Sequence, residues 1–336
     1  QIKDYGGVGG VKTVDIRSMG TNHTGIFYDG IQLGNAQNGQ IDLGKFSLDN
    51  LEAIDLYNGQ KSDIFQSAKD YGAAGTLYLQ SRTPRFDDTD RRWKANVTLR
   101  GGSFGLINPA GRFDFRISER VAATVSAEYS HATGKYRFRY RRLYDDGTTA
   151  WDTTATRLNG DLRAFRAELG LYGSLSRGYW QARVYYYDSN RGIPGAIVNN
   201  VWKNSQRQWD RNFFAQGHWR KTLSRVYSLQ LKGKYARDYM HYLNPDTTLM
   251  YLNNRFYQDE IYLSGANKFN VAPGLRVNLA ADYQWNTLSS TIRNFARPRR
   301  HTLMTAFAAA YELGGLRAQA SLLHTLVLDH SRNSPD

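Results

Sequence analysis

Groups that do covalent chemistry are scarce in this chain of 336 residues. It has no cysteine, which removes disulfides, thiolate zinc sites and cysteine nucleophiles together. Its seven histidines are scattered and never fall into a His-Glu-x-x-His or similar ligand spacing. The paired carboxylates of YDDGTT (Tyr144 to Thr149) are a weak calcium candidate in an external loop; they lack a full ligand spacing and read better as a turn. GGVGG (Gly6 to Gly10) is not a phosphate loop, because no Lys-Ser/Thr follows it on a helix. With no nucleophile–base constellation either, neither an enzyme nor a cofactor is expected. Binding chemistry is what remains. Two stretches, DYGGVGG (Asp4 to Gly10) and GNAQNGQ (Gly34 to Gln40), combine glycines that admit close backbone approach with stacking and amide groups. Tyr5, Gly6, Gly7, Asn35, Gln37, Asn38 and Gln40 are the candidate contacts; plain solvated loops are an equal alternative at each.

The elements that hold these loops follow from patterning. Aromatics make up 13% of the chain and alternation is regular, so disorder is excluded. No apolar run approaches the roughly 18 residues of a membrane helix. A membrane β-barrel stays open despite the low hydropathy, since every second residue of its strands faces a polar interior. The formal charge of +14 permits nucleic acid, anionic lipopolysaccharide or an acidic ligand. QIKDYGGVGG at the N-terminus lacks the apolar core of a signal peptide, so either that segment is removed or the chain is a piece of a longer one.

In RVAATVSAEYSH, Val121, Ala123, Val125, Ala127 and Tyr129 oppose Ala122, Thr124, Ser126, Glu128 and Ser130, the two faces of a strand. LRVNLAADYQW and YSLQLKGKY read the same way, and the pattern predicts about eleven strands after residue 92. Their apolar faces are nearly free of charge for about nine to eleven residues, the length of a tilted strand crossing a bilayer. Connections alternate between tight turns, such as Ser118 to Arg120, and long polar loops, read at 133–159, 189–211, 238–259 and 286–300. That is the organisation of an outer-membrane barrel. A soluble sandwich competes with it, but soluble strands average only about five or six residues. The charged faces, among them Arg100, Arg116, Glu128, Arg166, Glu168, Arg183, Arg220, Lys232, Lys234, Arg276 and Asp282, then line a lumen that is a water channel or a wall around a polar plug.

Residues 1–83 are punctuated differently. TVDIRS is a short strand, and TGIFYDGIQL is two strands about an Asp29-Gly30 turn. SLDNLEAIDLYNG predicts a helical turn over Asp49 to Ala53 leading into a strand, and GTLYLQSR is a last strand before a polar linker. VDIRSMGTNHTGIFYDGIQL followed by IDLGKFSLDNLEAIDLYNGQKS resembles the plug of TonB-dependent outer-membrane receptors, with spacing most similar to the cobalamin receptor group. The resemblance covers about seventy residues. Ser18 replaces the family's usual glycine, NGQKS replaces its Gly-Pro-x-Ser turn, and YGAAGTLYL is a weak version of its closing strand.

The resemblance implies a membrane all-β fold: an antiparallel transmembrane β-barrel with about eleven of an expected 22 or so strands, residues 84–336, around an N-terminal α+β plug, residues 1–83. Half a barrel leaves two unpaired edges in lipid, so a fragment is expected. It implies location in the bacterial outer membrane and import of a scarce large nutrient, cobalamin or another corrinoid, energised by TonB–ExbB–ExbD. A siderophore or haem receptor is the sibling reading, and a passive porin the alternative of another class. A basic nucleic-acid binder is a further reading; it requires solubility without detergent, and nucleic acid is not an expected partner. Expected partners are outer-membrane lipid, lipopolysaccharide and a surface substrate-binding lipoprotein. The family's matching arginine places Arg17 in a buried plug–barrel contact, with Glu128 or Glu168 as partner; pairing inside the plug is the alternative. Asp29 and Gly30 are read as turn chemistry.

Overall fold

The computed structural model describes residues 2–5, 8–14, 24–35, 39–57, 63–72, 75–86, 91–195, 205–247 and 250–332. The first 81 residues hold strands β1 (Ile2–Tyr5), β2 (Val11–Val14), β3 (Thr24–Tyr28), β4 (Ile31–Gln32), β5 (Leu51–Tyr57) and β6 (Gly75–Ser81). β1 and β2 form a hairpin of their own, and the rest make a four-stranded sheet in the order β4-β3-β6-β5 with β3 parallel to β6. Asp29 and Gly30 join β3 to β4 with φ of 48° and 77°, the mirror-image turn that suits the strand twist. Helix in this unit is confined, among the described residues, to short 3-10 turns. One of them, Leu48–Asn50, replaces the helical turn expected over Asp49 to Ala53, so that the strand begins at Leu51. Ser47 does not cap this turn, because its hydroxyl donates to Glu128 instead.

Eleven strands follow as one antiparallel sheet. They are β7 (Trp93–Gly102), β8 (Leu106–Arg116), β9 (Val121–Ala132), β12 (Leu162–Leu175), β13 (Gly178–Ile193), β14 (Gln206–Thr222), β15 (Tyr227–Asn244), β16 (Leu252–Ala272), β17 (Leu275–Ser290), β18 (Arg299–Leu313) and β19 (Leu316–His330). Neighbours in the chain are neighbours in the sheet, with β9 next to β12. The intervening hairpin β10 (Tyr136–Leu143) and β11 (Thr149–Arg157) stands apart from the sheet.

The strands are longer than the sequence pattern predicts, and the expected loops correspondingly shorter. The segment read as a loop over 238–259 instead pairs from Asp238 opposite Gln258 to Asn244 opposite Leu252. Alternation of apolar and polar residues ends there because Tyr239, Met240, Tyr242 and Leu243 put apolar groups on both faces, but the backbone ladder continues. Likewise the expected loop 133–159 contains the β10–β11 hairpin.

The sidedness of the sheet is decisive. Val125, Leu231 and Leu279 point away from the molecule, exposed by 42%, 47% and 47%. The opposite face packs on the N-terminal unit. Ile26, Tyr28, Leu77 and Leu79 meet Tyr185 and Phe214, while Ile64, Phe65, Ala68 and Tyr71 meet the small side chains Ala266, Ala280, Ala306 and Ala308. Apolar outside and polar inside, the sheet is a barrel wall built around the N-terminal unit.

Candidate functional site

Charged side chains predicted for the inner face do project inward, and most of them end on the N-terminal unit. The tightest cluster surrounds the β3–β4 turn. Asp29 accepts hydrogen bonds from the Ser81 amide and hydroxyl, both at 2.8 Å, and from Arg183 Nε at 2.9 Å. Arg183 also donates to Glu168 Oε2 and to the Tyr172 hydroxyl. Tyr28 donates to the same glutamate oxygen at 2.8 Å, and Asn50 Nδ2 reaches its other oxygen at 3.2 Å. Every one of these groups is buried, so each charge is held only by its partners. Burial, reinforced by Glu168, keeps the Tyr28 phenol well above its ordinary pKa, and it stays a donor.

Two lysines of β15 grip the same hairpin from the side. Lys232 Nζ donates to the Gly30 carbonyl at 2.7 Å and lies 3.6 Å from Asp70; Lys234 Nζ donates to the Gln32 carbonyl at 2.6 Å and pairs with Glu260 at 2.7 Å. The turn Ala68–Gly72 sits on β17 through the Lys69 amide, which donates to Asp282 at 2.8 Å. Its Lys69 amine reaches Gln284 and lies over the Tyr262 ring. Burial, with Lys234 nearby, pushes this amine down to about 8 against the pull of Glu260 and Asp282. At the other side of the wall, Asp49 binds Arg100 of β7 with both carboxylate oxygens.

Toward the end of the sheet that carries the long connections, the N-terminal unit draws back from the wall. A cavity of about 510 Å³ opens between residues 33–46 and strands β13 to β17. Phe46 floors it, stacked between Tyr28 and Tyr185 with ring centroids 5.3 and 5.4 Å away. Most of its charges are paired, Lys45 with Asp210 at 3.3 Å and Arg191 with both Asp42 and Asp210 at 3.2 Å, while Asp238 accepts from the amides of Asn212 and Gln258. For Lys45, burial acts downward, but Asp210 and its acidic neighbours outweigh it and hold the amine above its ordinary range. Gly34 presses so closely on Glu260 that a Cβ there would fall 2.3 Å from the carboxylate. Aromatic surface, amides and neutralised ion pairs suit reversible capture of a large polar molecule. Among the described residues no group of three or more His, Cys, Asp or Glu is placed to hold a metal ion.

The predicted site residues distribute as follows. Asn35 and Gln40 line the cavity, where Asn35 Nδ2 also braces the loop by donating to the Gln40 carbonyl at 2.8 Å. Tyr5 ends β1, on the loop whose Gly9 carbonyl accepts from Arg191 at 3.2 Å. Gly6, Gly7, Arg17, Gln37 and Asn38 lie outside the described residues. Glu128 and Glu168 both face the N-terminal unit: Glu128 accepts from Ser47 and Asn108 and lies 3.5 Å from Arg166, and Glu168 belongs to the Arg183 cluster. Asp29 and Gly30 form the turn, and Asp29 is also an ion-pair partner of the wall. Sequence reasoning missed that pairing, although alternation had already put Arg183 on the inner face. Asp145 and Asp146 sit at the tip of the β10–β11 hairpin, where Asp146 accepts from the Thr148 amide and hydroxyl.

A small sheet that fills the hollow of an antiparallel wall has a known counterpart. Residues 1–73 match the TonB-dependent Receptor Plug Domain family. Around this plug the whole chain is similar in fold to the copper transporter OprC, with a TM-score of 0.68 at 11% identity over 100% of this chain and 54% of that one. It is also similar to the FrpB iron transporter from Neisseria meningitidis (TM-score 0.73, 8% identity, 99% of this chain and 56% of that one). A third likeness is to the siderophore receptor PiuA from Acinetobacter baumannii (TM-score 0.59, 11% identity, 98% and 57%). The chain thus spans just over half the length of these structures. Plug and half-wall are the parts it contains.

Proposed function

We propose that this chain is part of a TonB-dependent receptor of the bacterial outer membrane, which imports a scarce, large nutrient. Its ligand docks in the apical cavity, and TonB, energised by ExbB–ExbD, pulls on the plug to open a path along the wall. The observation that carries this reading is the plug itself. It is joined to the inner face by buried ion pairs and leaves a large apical cavity beside loop 33–46. A passive porin needs an open lumen, which a plug in this position fills.

The spacing from Arg17 through Asp29-Gly30 to Asp42–Gly59 favours a corrinoid ligand. A ferric siderophore is favoured by the company of the fold, whose structures include an iron transporter and a siderophore receptor. Titrating the purified full-length protein with cyanocobalamin and with ferric siderophores separates the two. Micromolar or tighter binding of the corrinoid is the outcome for the first, and its absence alongside siderophore binding the outcome for the second. Binding of neither, with an open conductance in planar bilayers, would reject the import reading.

A further inference from the structure

The apical cavity holds more acid than base. Asp42, Asp210, Asp238 and Glu260 line it against Lys45, Arg191 and Lys234, the reverse of the basic excess of the whole chain. All three cations are engaged. Lys45 and Arg191 share Asp210, and Asp42 is the second partner of Arg191. Lys234 Nζ lies 2.7 Å from Glu260 and donates to the Gln32 carbonyl at 2.6 Å. Asp238 is the carboxylate left over. Its partners are two neutral amides, Asn212 Nδ2 at 2.6 Å and Gln258 Nε2 at 3.5 Å.

The strands build this spot from residues that face one another. Asn212 stands across from Asp238 between β14 and β15, and Gln258 across from it between β15 and β16. Lys45 Nζ donates to Asn212 Oδ1 at 2.9 Å, which turns the N–H side of that amide toward Asp238. The lysine thus reaches Asp238 only through a neutral group. Two residues along β15, about 7 Å away, Met240 stands opposite Phe256, and Leu288 of β17 stands opposite Gln258. All three line the cavity with Asp238, as does Phe214, which stacks on Tyr185 at 4.7 Å.

A half-buried carboxylate beside an open cavity keeps its charge through contact with water. A large ligand expels that water on docking, and two amide hydrogen bonds do not replace it. An anionic ligand would add repulsion, and a neutral one would leave the charge uncompensated. A ligand that brings positive charge offsets the loss, and aromatic faces nearby favour the same choice.

We propose that the imported ligand carries a cationic group, a primary ammonium or a guanidinium, which seats on the Asp238 carboxylate beside Met240 and Phe256. The inference rests on the import reading given above and adds to it the charge of the ligand, with Asp238 as the residue that sets specificity.

Isothermal titration calorimetry of the full-length protein in mild detergent tests this with matched probes. Three scaffolds are used: a corrinoid, a ferric tris-hydroxamate and a ferric tris-catecholate. Each ends either in a free primary amine or in the same amine acetylated. On a scaffold that binds, the amine form should bind at least tenfold more tightly than the acetylated form. Asp238→Asn should bring the amine form down to the level of the acetylated one, whereas Asp238→Glu, which keeps the charge, should keep the preference. Equal affinity of the two forms for the wild type, or a preference that survives Asp238→Asn, would overturn the proposal. The wild-type comparison decides without any variant, so misfolding of a variant does not shelter it. Failure of the import reading looks different: no scaffold would bind in either form, and the present inference would fall with it.

Discussion

Arg183 is the residue on which the plug's attachment turns. Its guanidinium serves Asp29 of the plug and Glu168 of the wall at once, all three groups being buried. A buried cation with two buried anions is costly to break from one side, because the remaining charges lose their only compensation. Replacing Arg183 by Met should therefore destabilise the plug by about 3–5 kcal/mol. Adding Asp29→Asn and Glu168→Gln to that variant removes the orphaned charges and should recover most of the loss. Urea titration of the full-length protein, read by hydrogen exchange at the amides of β3 and β6, measures both. If Arg183→Met left those amides as protected as in the wild type, the cluster would not be an anchor.

At the scale of elements, the turn Ala68–Gly72 docks on β17 with a lysine whose charge the site disfavours. An amine held near 8, against about 10.4 in an unfolded chain, means that the unfolded state binds the extra proton between those values. Docking thus strengthens as pH rises from about 8 and is weakest below it. Because Lys69 as a whole residue keeps some solvent exposure, the effect is discounted for screening, and a gain on the order of 1 kcal/mol between pH 7.5 and 9.5 is expected. Lys69→Met should flatten this slope in the same urea titration; an unchanged slope would assign it to other groups. The strands that carry such contacts were legible from alternation alone, because one face meets an apolar surround and the other a charged interior. Val125 and Glu128 sort to opposite faces for that reason. Strand ends were not legible: beyond Asp238 each face mixes apolar and polar residues, and only the backbone ladder marks the strand. Nor was the partner of Asp29, because the contact joins residues 154 apart in the chain and local pattern is blind to it. The apical loop was recognisable by its glycines and amides, yet its pairing of Asp42 and Lys45 with Asp210 and Arg191 needed the fold.

At the scale of the whole molecule, the plug and the wall are electrically matched. Among the described ion pairs, Asp29, Asp42, Asp49, Asp63 and Asp70 of the plug meet cations of the wall, and only Lys45 meets a wall carboxylate. The sign fits the chain as a whole: residues 1–83 carry nine acidic and seven basic side chains, so the excess of +14 resides in the wall. A lumen emptied of its plug would leave Arg100, Arg183, Arg191, Arg220 and Lys232 facing water with their plug partners gone. Such a ring of cations favours anions in a pore. The full-length protein in a planar bilayer should therefore conduct little, and a variant lacking residues 1–83 should conduct strongly with chloride preferred over potassium. Reversing the charge of Asp29 and Asp49 to lysine in the complete protein should loosen the plug and raise leakage, with the same anion preference, because like charges then face one another across the contact. Cation preference in the emptied pore would show that these cations do not set the field. Equal conductance with and without the plug would show that the N-terminal unit does not close the lumen at all.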